Sequence, residues 1–182
     1  MSSLSFADAQ PILALMTIPP HTARLRFRPM TEADLEDMAA MLGDPVVMHY
    51  YPAPKSRAEA EAWIQRNQQR YAEHGYGLWI IETLEGEFLG DCGLTWQSVN
   101  GVPKLEVGFR VRAERQNRGY ATEAALACQD FARKQTKETE LVAILHPENR
   151  ASERVAQKLG MHRVADDLAG PIPVRAVYSM RL

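Results

Sequence analysis

The region between residues 105 and 131 constrains the fold of this chain most, because a strand pattern passes into a helix pattern across one short basic loop. Over residues 105–111 apolar side chains alternate with polar or small ones, which is the period of a β-strand. Over residues 121–132 apolar side chains recur at intervals of three and four, which is one face of a helix. The loop between them holds three arginines and Gly119. Since the first N–H groups of a helix lack partners within the helix and its dipole favours an anion, this arrangement predicts a phosphate-binding loop.

Length and charge narrow the class of protein. A chain of 182 residues fits one domain with its own core, and a net charge of −2 argues against binding DNA or RNA by bulk phosphate attraction. No apolar run is long enough to span a bilayer, and the N-terminal residues lack the positively charged start of a secretory signal. We therefore expect a cytoplasmic protein that contacts neither nucleic acid nor membrane. Residues 1–21 are expected to form a leader, in part disordered, and residues 22–182 a single domain.

The two cysteines indicate neither a metal site nor a disulfide framework. Cys92 lies in a strand-like segment and Cys128 on the apolar face of a helix. Their spacing is not that of metal ligands, so we expect two reduced and mostly buried thiols and no metal.

The remaining patterns predict an ordered series of strands and helices. Ser56 and Glu59 form a capping box, which starts a helix that we expect to run to about His74. Glu85-Gly86 lies between two apolar runs and predicts a hairpin. The whole order is a strand, two helices, three antiparallel strands, a helix, a strand, a helix and two strands. We therefore expect one mixed α/β (α+β) domain with helices on both faces of a single sheet.

Two motifs establish a resemblance to a known family. The segment Gln116-Asn-Arg-Gly-Tyr-Ala121 matches the Q/R-x-x-G-x-G/A acetyl-CoA signature, and Thr122-Glu-Ala follows it. After the next predicted strand come Asn149-Arg-Ala-Ser152 and Lys158-Leu-Gly-Met161. With a strand before the loop and a helix after it, the chain resembles the GNAT N-acetyltransferases over residues 24–181, and within them the RimJ/RimL-like branch. The resemblance implies a central mixed, mostly antiparallel β-sheet that is splayed in the middle.

The resemblance also implies a cosubstrate and a mechanism. A primary amine, on a small molecule or at a protein N-terminus, would attack the thioester carbonyl of acetyl-CoA directly in a ternary complex. Pantetheine would lie between two splayed strands, where the backbone of residues 109–111 would bond it and polarise the acetyl carbonyl. The amides of residues 116–122 would hold the pyrophosphate. The implied acetyl-CoA-binding residues are Phe109, Arg110, Val111, Gln116, Asn117, Arg118, Gly119, Tyr120, Ala121, Thr122, Asn149 and Ser152.

Glu106 is the residue that we expect to act as the general base. Its carboxylate interrupts an apolar strand, and beside a central cleft it would be partly desolvated, which raises the pKa of a carboxyl group toward a useful value. The competing interpretation is a solvent-facing or salt-bridged strand residue. Ser152 is the candidate for protonating the departing thiolate, which can also leave unassisted. Many members of the family use a tyrosine for this step, seven residues after the motif asparagine, where this chain has Ala156.

The acceptor side is marked by aromatic and charged residues. Tyr50 and Tyr51, in the loop between the first two helices, are the best candidates for the rim of an acceptor pocket. Asp44 and Glu61 are carboxylates that would suit a cationic acceptor. His146, just past an apolar strand, can carry a proton and ranks below the glutamate base.

A second class of function is open at this point. Because the usual tyrosine is missing, a non-catalytic acetyl-CoA-binding sensor is the alternative to an enzyme. The complete loop and the presence of Glu106 favour the enzyme. A homodimer is common among similar proteins, so the expected partners are acetyl-CoA, an amine acceptor and a second copy of the chain.

Overall fold

A computed structural model describes residues 17–170 and 174–182, so residues 1–16 of the expected leader lie outside the described part. The strands are β1 (Leu25–Arg28), β2 (Leu78–Thr83), β3 (Phe88–Val99), β4 (Val102–Val111), β5 (Glu140–Leu145), β6 (His162–Asp167) and β7 (Arg175–Arg181). The helices are α1 (Leu35–Gly43), α2 (Arg57–His74), α3 (Tyr120–Gln135) and α4 (Arg150–Lys158), with short 3-10 turns at Glu32–Asp34 and Ala113–Arg115. This order of strands and helices is the one that the sequence predicts.

The seven strands form one sheet in the order β1-β2-β3-β4-β5-β7-β6. Neighbouring strands are antiparallel except β4 and β5, which are parallel. β4 and β5 share one pair of facing residues, Glu106 and Val142, and separate beyond it. The expected mixed, mostly antiparallel sheet with a splayed middle is therefore confirmed.

A hydrophobic core covers each face of the sheet. On one face α3 and α4 pack against strand residues that include Trp79 and Leu105. On the other face α1 and α2 pack against residues that include Leu78 and Ile80. Successive residues of β2 thus face opposite cores, as the alternation of side chains along a strand requires. The prediction of helices on both faces is confirmed.

Both cysteines are buried, as predicted. Cys92 of β3 and Cys128 of α3 are free thiols whose sulfur atoms lie 3.5 Å apart. Burial raises the pKa of the Cys92 thiol, which keeps it neutral. Over residues 17–170 and 174–182, no three His, Cys, Asp or Glu side chains are grouped so that they could hold a metal ion together. The helices of the same residues include none with the length and apolar character needed to cross a membrane.

The helix α2 begins at the capping box that the sequence indicates. The Glu59 N–H donates to the Ser56 hydroxyl oxygen at 3.3 Å, and the Ser56 N–H donates to the Glu59 carboxylate at 2.7 Å. Gly75 follows the last residue of the helix and adopts the left-handed conformation, with φ of 78°. The two ends of α2 are therefore set by local residue types.

The buried hydroxyl of Tyr71 connects α2 to the sheet. It donates a hydrogen bond to the Leu78 carbonyl and accepts one from the Met30 N–H at 3.1 Å. Tyr71→Phe is expected to lower the free energy of unfolding by about 1–3 kcal/mol, because it leaves two buried backbone groups without a partner. Chemical denaturation followed by circular dichroism checks this, and equal unfolding midpoints for the two proteins would contradict it.

Candidate active site

The two parallel strands separate at the centre of the sheet and leave a cleft. A cavity of about 350 Å³ lies there, between the end of β4, the loop that precedes α3 and the start of α4. Apart from Arg118, every residue that the sequence predicts for acetyl-CoA binding lines this cavity. The fold thus brings the two sequence motifs, at residues 116–122 and 149–152, to one place.

The backbone of β4 presents hydrogen-bonding groups to the cleft. The N–H of Arg112 donates to the Leu89 carbonyl of β3 at 2.9 Å. In an antiparallel pair the backbone groups point to the partner strand at every second residue. The groups of Arg110 therefore also face β3, whereas those of Phe109 and Val111 point to the side where β5 has separated. These last two residues offer N–H and C=O groups to the cavity.

The shape of the loop before α3 depends on two residues with positive φ. Asn117 has φ of 60°, and Gly119, which caps the start of α3, has φ of 81°. Glycine adopts this left-handed conformation without steric cost, and asparagine tolerates it. The Gln116 side chain donates to the Val111 carbonyl at 3.0 Å and so closes the loop. The first N–H groups of α3 lie at the cavity, where an anion would find partners.

Arg24, just before β1, holds this loop although it does not itself line the cavity. Its guanidinium donates to the Glu123 carboxylate at 2.7 Å and to the Arg118 carbonyl at 3.0 Å, and it lies 4.7 Å from the centre of the Tyr120 ring. Thr22 donates to the same carboxylate at 2.6 Å. Although partial burial opposes the effect, these hydrogen bonds keep the pKa of Glu123 below its ordinary value. The sequence indicates only a favourable dipole interaction for this glutamate, because its partner lies 99 residues away.

One wall of the cavity is basic, and the sequence predicts the arginine that the loop contributes to it but not the two cations of α4. Arg154 and Lys158, one turn apart on α4, line the cavity together with Arg115. Arg115 is paired with the Glu87 carboxylate. Neither α4 cation forms an ion pair within the described residues. Their spacing of four is common on any solvated helix, so the sequence pattern alone does not distinguish them.

Asn149 and Ser152 meet at the start of α4. The Asn149 side-chain oxygen accepts a hydrogen bond from the Ser152 N–H at 3.1 Å, so Asn149 caps the helix as its residue type favours. Both residues also line the cavity, so capping and contact with a ligand are compatible. Ala156 is fully buried and has no proton to donate.

Glu106 lies at the point where β4 and β5 separate, on the face of β4 opposite Leu105 and Val107. Thr95 of β3 donates a hydrogen bond to its carboxylate at 3.0 Å. Burial raises the pKa of the Glu106 carboxyl, and the Thr95 hydrogen bond and the positive charge of Arg110 only partly offset this effect. In the part of the chain that the structure describes, Glu106 forms no ion pair, which removes the salt-bridged interpretation.

The side chain of Arg110 turns toward α2. Its guanidinium is paired with the buried Asp91 carboxylate at 2.9 Å and donates to the Tyr51 hydroxyl at 3.1 Å. It lies 4.4 Å from the centre of the Trp63 ring, and the Trp63 indole donates to the same carboxylate at 3.2 Å. A charged and aromatic cluster therefore lies on the face of β4 that also bears the expected base.

Of the residues that the sequence predicts for the acceptor side, the fold places some at the cavity and others away from it. Tyr50 lines the cavity, and its ring centre lies 5.1 Å from that of His146. Asp44 instead accepts a hydrogen bond from the Val46 N–H at 2.8 Å within its own loop, and Glu61 is exposed. The aromatic candidates thus reach the site, whereas the two acidic ones do not line it.

Comparison with known proteins gives the family of this chain. Residues 24–162 match the family model described as an acetyltransferase (GNAT) domain. The uncharacterized protein YkkB of Bacillus subtilis (strain 168) is 37% identical over 143 residues, which are 78% of this chain and 83% of that protein. The match to the family model extends over both motifs that line the cavity.

Solved structures share the fold. An acetyltransferase from Agrobacterium tumefaciens str. C58 has a TM-score of 0.76 at 25% identity and covers 99% of this chain and 98% of its own. RimL, a ribosomal L7/L12 alpha-N-protein acetyltransferase in complex with coenzyme A, has a TM-score of 0.74 at 17% identity over 91% of this chain and 98% of its own. This likeness shows a common fold. The chain therefore belongs to the GNAT family of acetyltransferases and is an acetyl-CoA-dependent acyltransferase.

Proposed function

We propose that this protein transfers the acetyl group of acetyl-CoA to a primary amine, which attacks directly while all components are bound. The observation that supports this most is the position of Glu106, a partly buried carboxylate with a raised pKa at the point where the sheet opens. A carboxylate of this kind is a better proton acceptor near neutral pH than an exposed glutamate. It lies beside the cavity that the acetyl-CoA motifs line.

Acetyl-CoA would bind with its pyrophosphate at the start of α3 and its pantetheine along β4. The amides of residues 116–122 and the two α4 cations suit negative phosphates. The backbone groups of Phe109 and Val111 suit the amides of pantetheine, and an N–H here would stabilise charge that develops on the acetyl oxygen. Coenzyme A in the RimL complex supports such a ligand for this fold.

The residues of the chain would move two protons. Glu106 takes one from the acceptor ammonium, directly or through a water, so that the neutral nitrogen forms the new C–N bond as the C–S bond breaks. As the amide forms, the nitrogen gives up its second proton and the thiolate gains one, either from the Ser152 hydroxyl, which recovers a proton from the nitrogen through water, or from water that has accepted the nitrogen's proton. The proton on Glu106 then returns to solvent. Ala156 excludes the tyrosine route from this helix.

Thiol release from acetyl-CoA by the purified chain tests this function. The assay uses a panel of primary amines and peptides, with mass spectrometry of the products. An enzyme releases thiol in step with acetylated product for at least one acceptor. Calorimetric binding of acetyl-CoA without product from any acceptor would identify a non-catalytic sensor instead.

Arg24→Gln is expected to raise the Kd for acetyl-CoA about three- to tenfold, because the loop loses the contacts that hold it at Arg118 and Glu123. At saturating acetyl-CoA, kcat is expected to stay within about twofold, since no reacting group is changed. Isothermal titration calorimetry and steady-state kinetics measure the two effects. Arg133→Gln, which removes an exposed ion pair with Asp130 on α3, is the matched control. An unchanged Kd for Arg24→Gln would show that the loop does not need this support.

A further inference from the structure

Three cationic groups surround Trp63 on α2. They lie 4.4, 5.6 and 5.9 Å from the centre of its ring and belong, in that order, to Arg110, Arg66 and Lys55. Of these three, Arg110 alone forms an ion pair within the described residues, with Asp91. Two of the three cations beside Trp63 are therefore not held in an ion pair within the described part of the chain.

Arg70 belongs to the same group of charges. It follows Arg66 by one turn and lies on the same face of α2, where its guanidinium donates to the Asn67 side chain at 3.3 Å. Burial lowers the pKa of Arg70, and the like charges of Arg66 and Arg110 lower it further. The negative charge of Glu106 opposes these effects. Glu106 lies on the same face of β4 as Arg110, whose guanidinium contacts Trp63 of α2, so the expected base is on the side of the sheet that α2 covers.

Part of the charge and hydrogen-bonding capacity of this group is not satisfied within the described residues. Across residues 17–170 and 174–182, neither Arg66 nor Arg70 forms an ion pair. The buried Nε of Arg110 and the buried Oδ1 of Asp91 have no hydrogen-bond partner there. The side chain of Arg110 is only 9% exposed, yet the residue lines the cavity. Arg70 is half-buried without a counter-ion, which is costly, and a bound anion would remove that cost, while Arg66 beside it is exposed to an incoming ligand.

We propose that the acceptor amine carries a carboxylate, which Arg66 and Arg70 bind while the amine lies at Glu106. This inference rests on the proposed acetyl transfer and defines the chemical class of its acceptor. A free amino acid and a peptide N-terminus followed by acidic residues share this chemistry. The local excess of arginine, rather than the net charge of −2, decides which acceptors are attracted.

Matched acceptors that differ only in the carboxylate test the proposal. One pair is L-alanine and L-alaninamide; a second is the peptide amides Ser-Glu-Glu-Ala and Ser-Gln-Gln-Ala, with Ser-Lys-Lys-Ala as the cationic member. The carboxylate member of at least one pair is expected to have a kcat/KM about tenfold higher or more, since charge-assisted hydrogen bonds to arginine are strong. The pair that shows the difference distinguishes a free amino acid from an acidic peptide. The amide of alanine has the less basic amine, so amine basicity works against the expected result.

Arginine variants assign the preference to the proposed residues. In the double variant Arg66→Gln/Arg70→Gln, kcat/KM for the carboxylate acceptor is expected to fall about tenfold, mainly through KM, while the KM for acetyl-CoA stays unchanged. Arg57→Gln is the matched control, because it lies on the same helix and is paired with the exposed Glu36 at 2.5 Å. Arg66→Gln alone, at an exposed position, supplies the test if the double variant does not fold.

Two outcomes would overturn the proposal in distinguishable ways. If amide or cationic acceptors react as well as the carboxylate members, or if the double variant keeps the carboxylate preference, this inference is wrong and acetyl transfer stands. If acetyl-CoA binds but no amine in the panel is acetylated, the proposed function fails and the acceptor class fails with it.

Discussion

Glu106→Gln is expected to lower kcat about a hundred- to ten-thousand-fold near neutral pH, the usual contribution of a positioned general base. The affinity for acetyl-CoA is expected to stay the same, because the residue lies at the separation of β4 and β5 and does not line the cavity of the acetyl-CoA motifs. The loss should shrink at high pH, where the acceptor amine becomes neutral without help. Single-turnover kinetics over a pH range, together with calorimetry of acetyl-CoA binding, measure both parts.

A matched control tests whether the loss of kcat is specific to Glu106 or follows from the removal of any carboxylate in the sheet. Glu140→Gln changes a glutamate on the neighbouring strand that is bonded to Lys104 and Ser179. It is expected to keep kcat within about twofold, since this carboxylate does not touch the reacting atoms. Equal turnover in wild type and Glu106→Gln would remove Glu106 as the base, whatever the control shows.

Because the pKa of Glu106 is raised, its contribution makes the free energy of unfolding decrease as the pH increases. The folded state holds the proton of this carboxyl more tightly than the unfolded state does, because burial disfavours the charge. Its contribution to the free energy of unfolding therefore falls as the pH rises from the ordinary glutamate range through the raised pKa. Glu106→Gln removes this dependence, so its Tm relative to wild type is expected to rise as the pH increases above the ordinary glutamate range. If the difference in Tm between Glu106→Gln and wild type is constant over this pH range, burial does not raise the pKa of the Glu106 carboxyl.

Local signals predict the elements well, because they act within a few residues. The capping box at Ser56, the glycine at position 119 and the alternation along β4 each specify a local conformation that the structure contains. The family motifs likewise place the cavity, since Gln116 and Asn149 bond within their own loops and need no distant partner to be recognised. The order of the strands and helices and the residues that line the cavity were therefore predictable from the sequence.

Interactions between distant segments were not predictable in the same way. The bonds of Arg24 to Arg118 and Glu123 depend on how β1 lies against α3, which no periodicity reveals. Which arginines lie around Trp63 depends on which face of α2 packs against the sheet. Because α2 is polar, its sequence is compatible with more than one choice of solvent-exposed face. From the sequence, Asp44 and Glu61 suggested a cationic acceptor, whereas the fold directs arginines to that side instead. The chemistry of the acceptor thus appears only once the helix is packed.

Gly119→Glu is expected to weaken acetyl-CoA binding by a factor of about one hundred or more, because a carboxylate close to two phosphate charges costs several kcal/mol at the dielectric of a protein surface. Gly119 caps α3 with φ of 81°, so any side chain there also adopts a conformation that L-residues disfavour. A Cβ at this position would lie 3.4 Å from the Arg24 guanidinium and would meet no backbone, so the substitution is accommodated sterically.

Gly119→Gln supplies the comparison that isolates charge from shape. It shares the bulk and the left-handed strain of the glutamate variant but not its charge, so its Kd for acetyl-CoA is expected to rise no more than about tenfold. Isothermal titration calorimetry of wild type and both variants measures the difference, with circular dichroism to verify that each is folded. If the two variants lose affinity equally, the effect is one of backbone strain, and the amides at the start of α3 do not face the phosphates. A tenfold or larger gap between them instead locates the negative charge of the ligand at the loop, where backbone N–H groups and the two α4 cations, but not the outward-lying Arg118, are available to meet it.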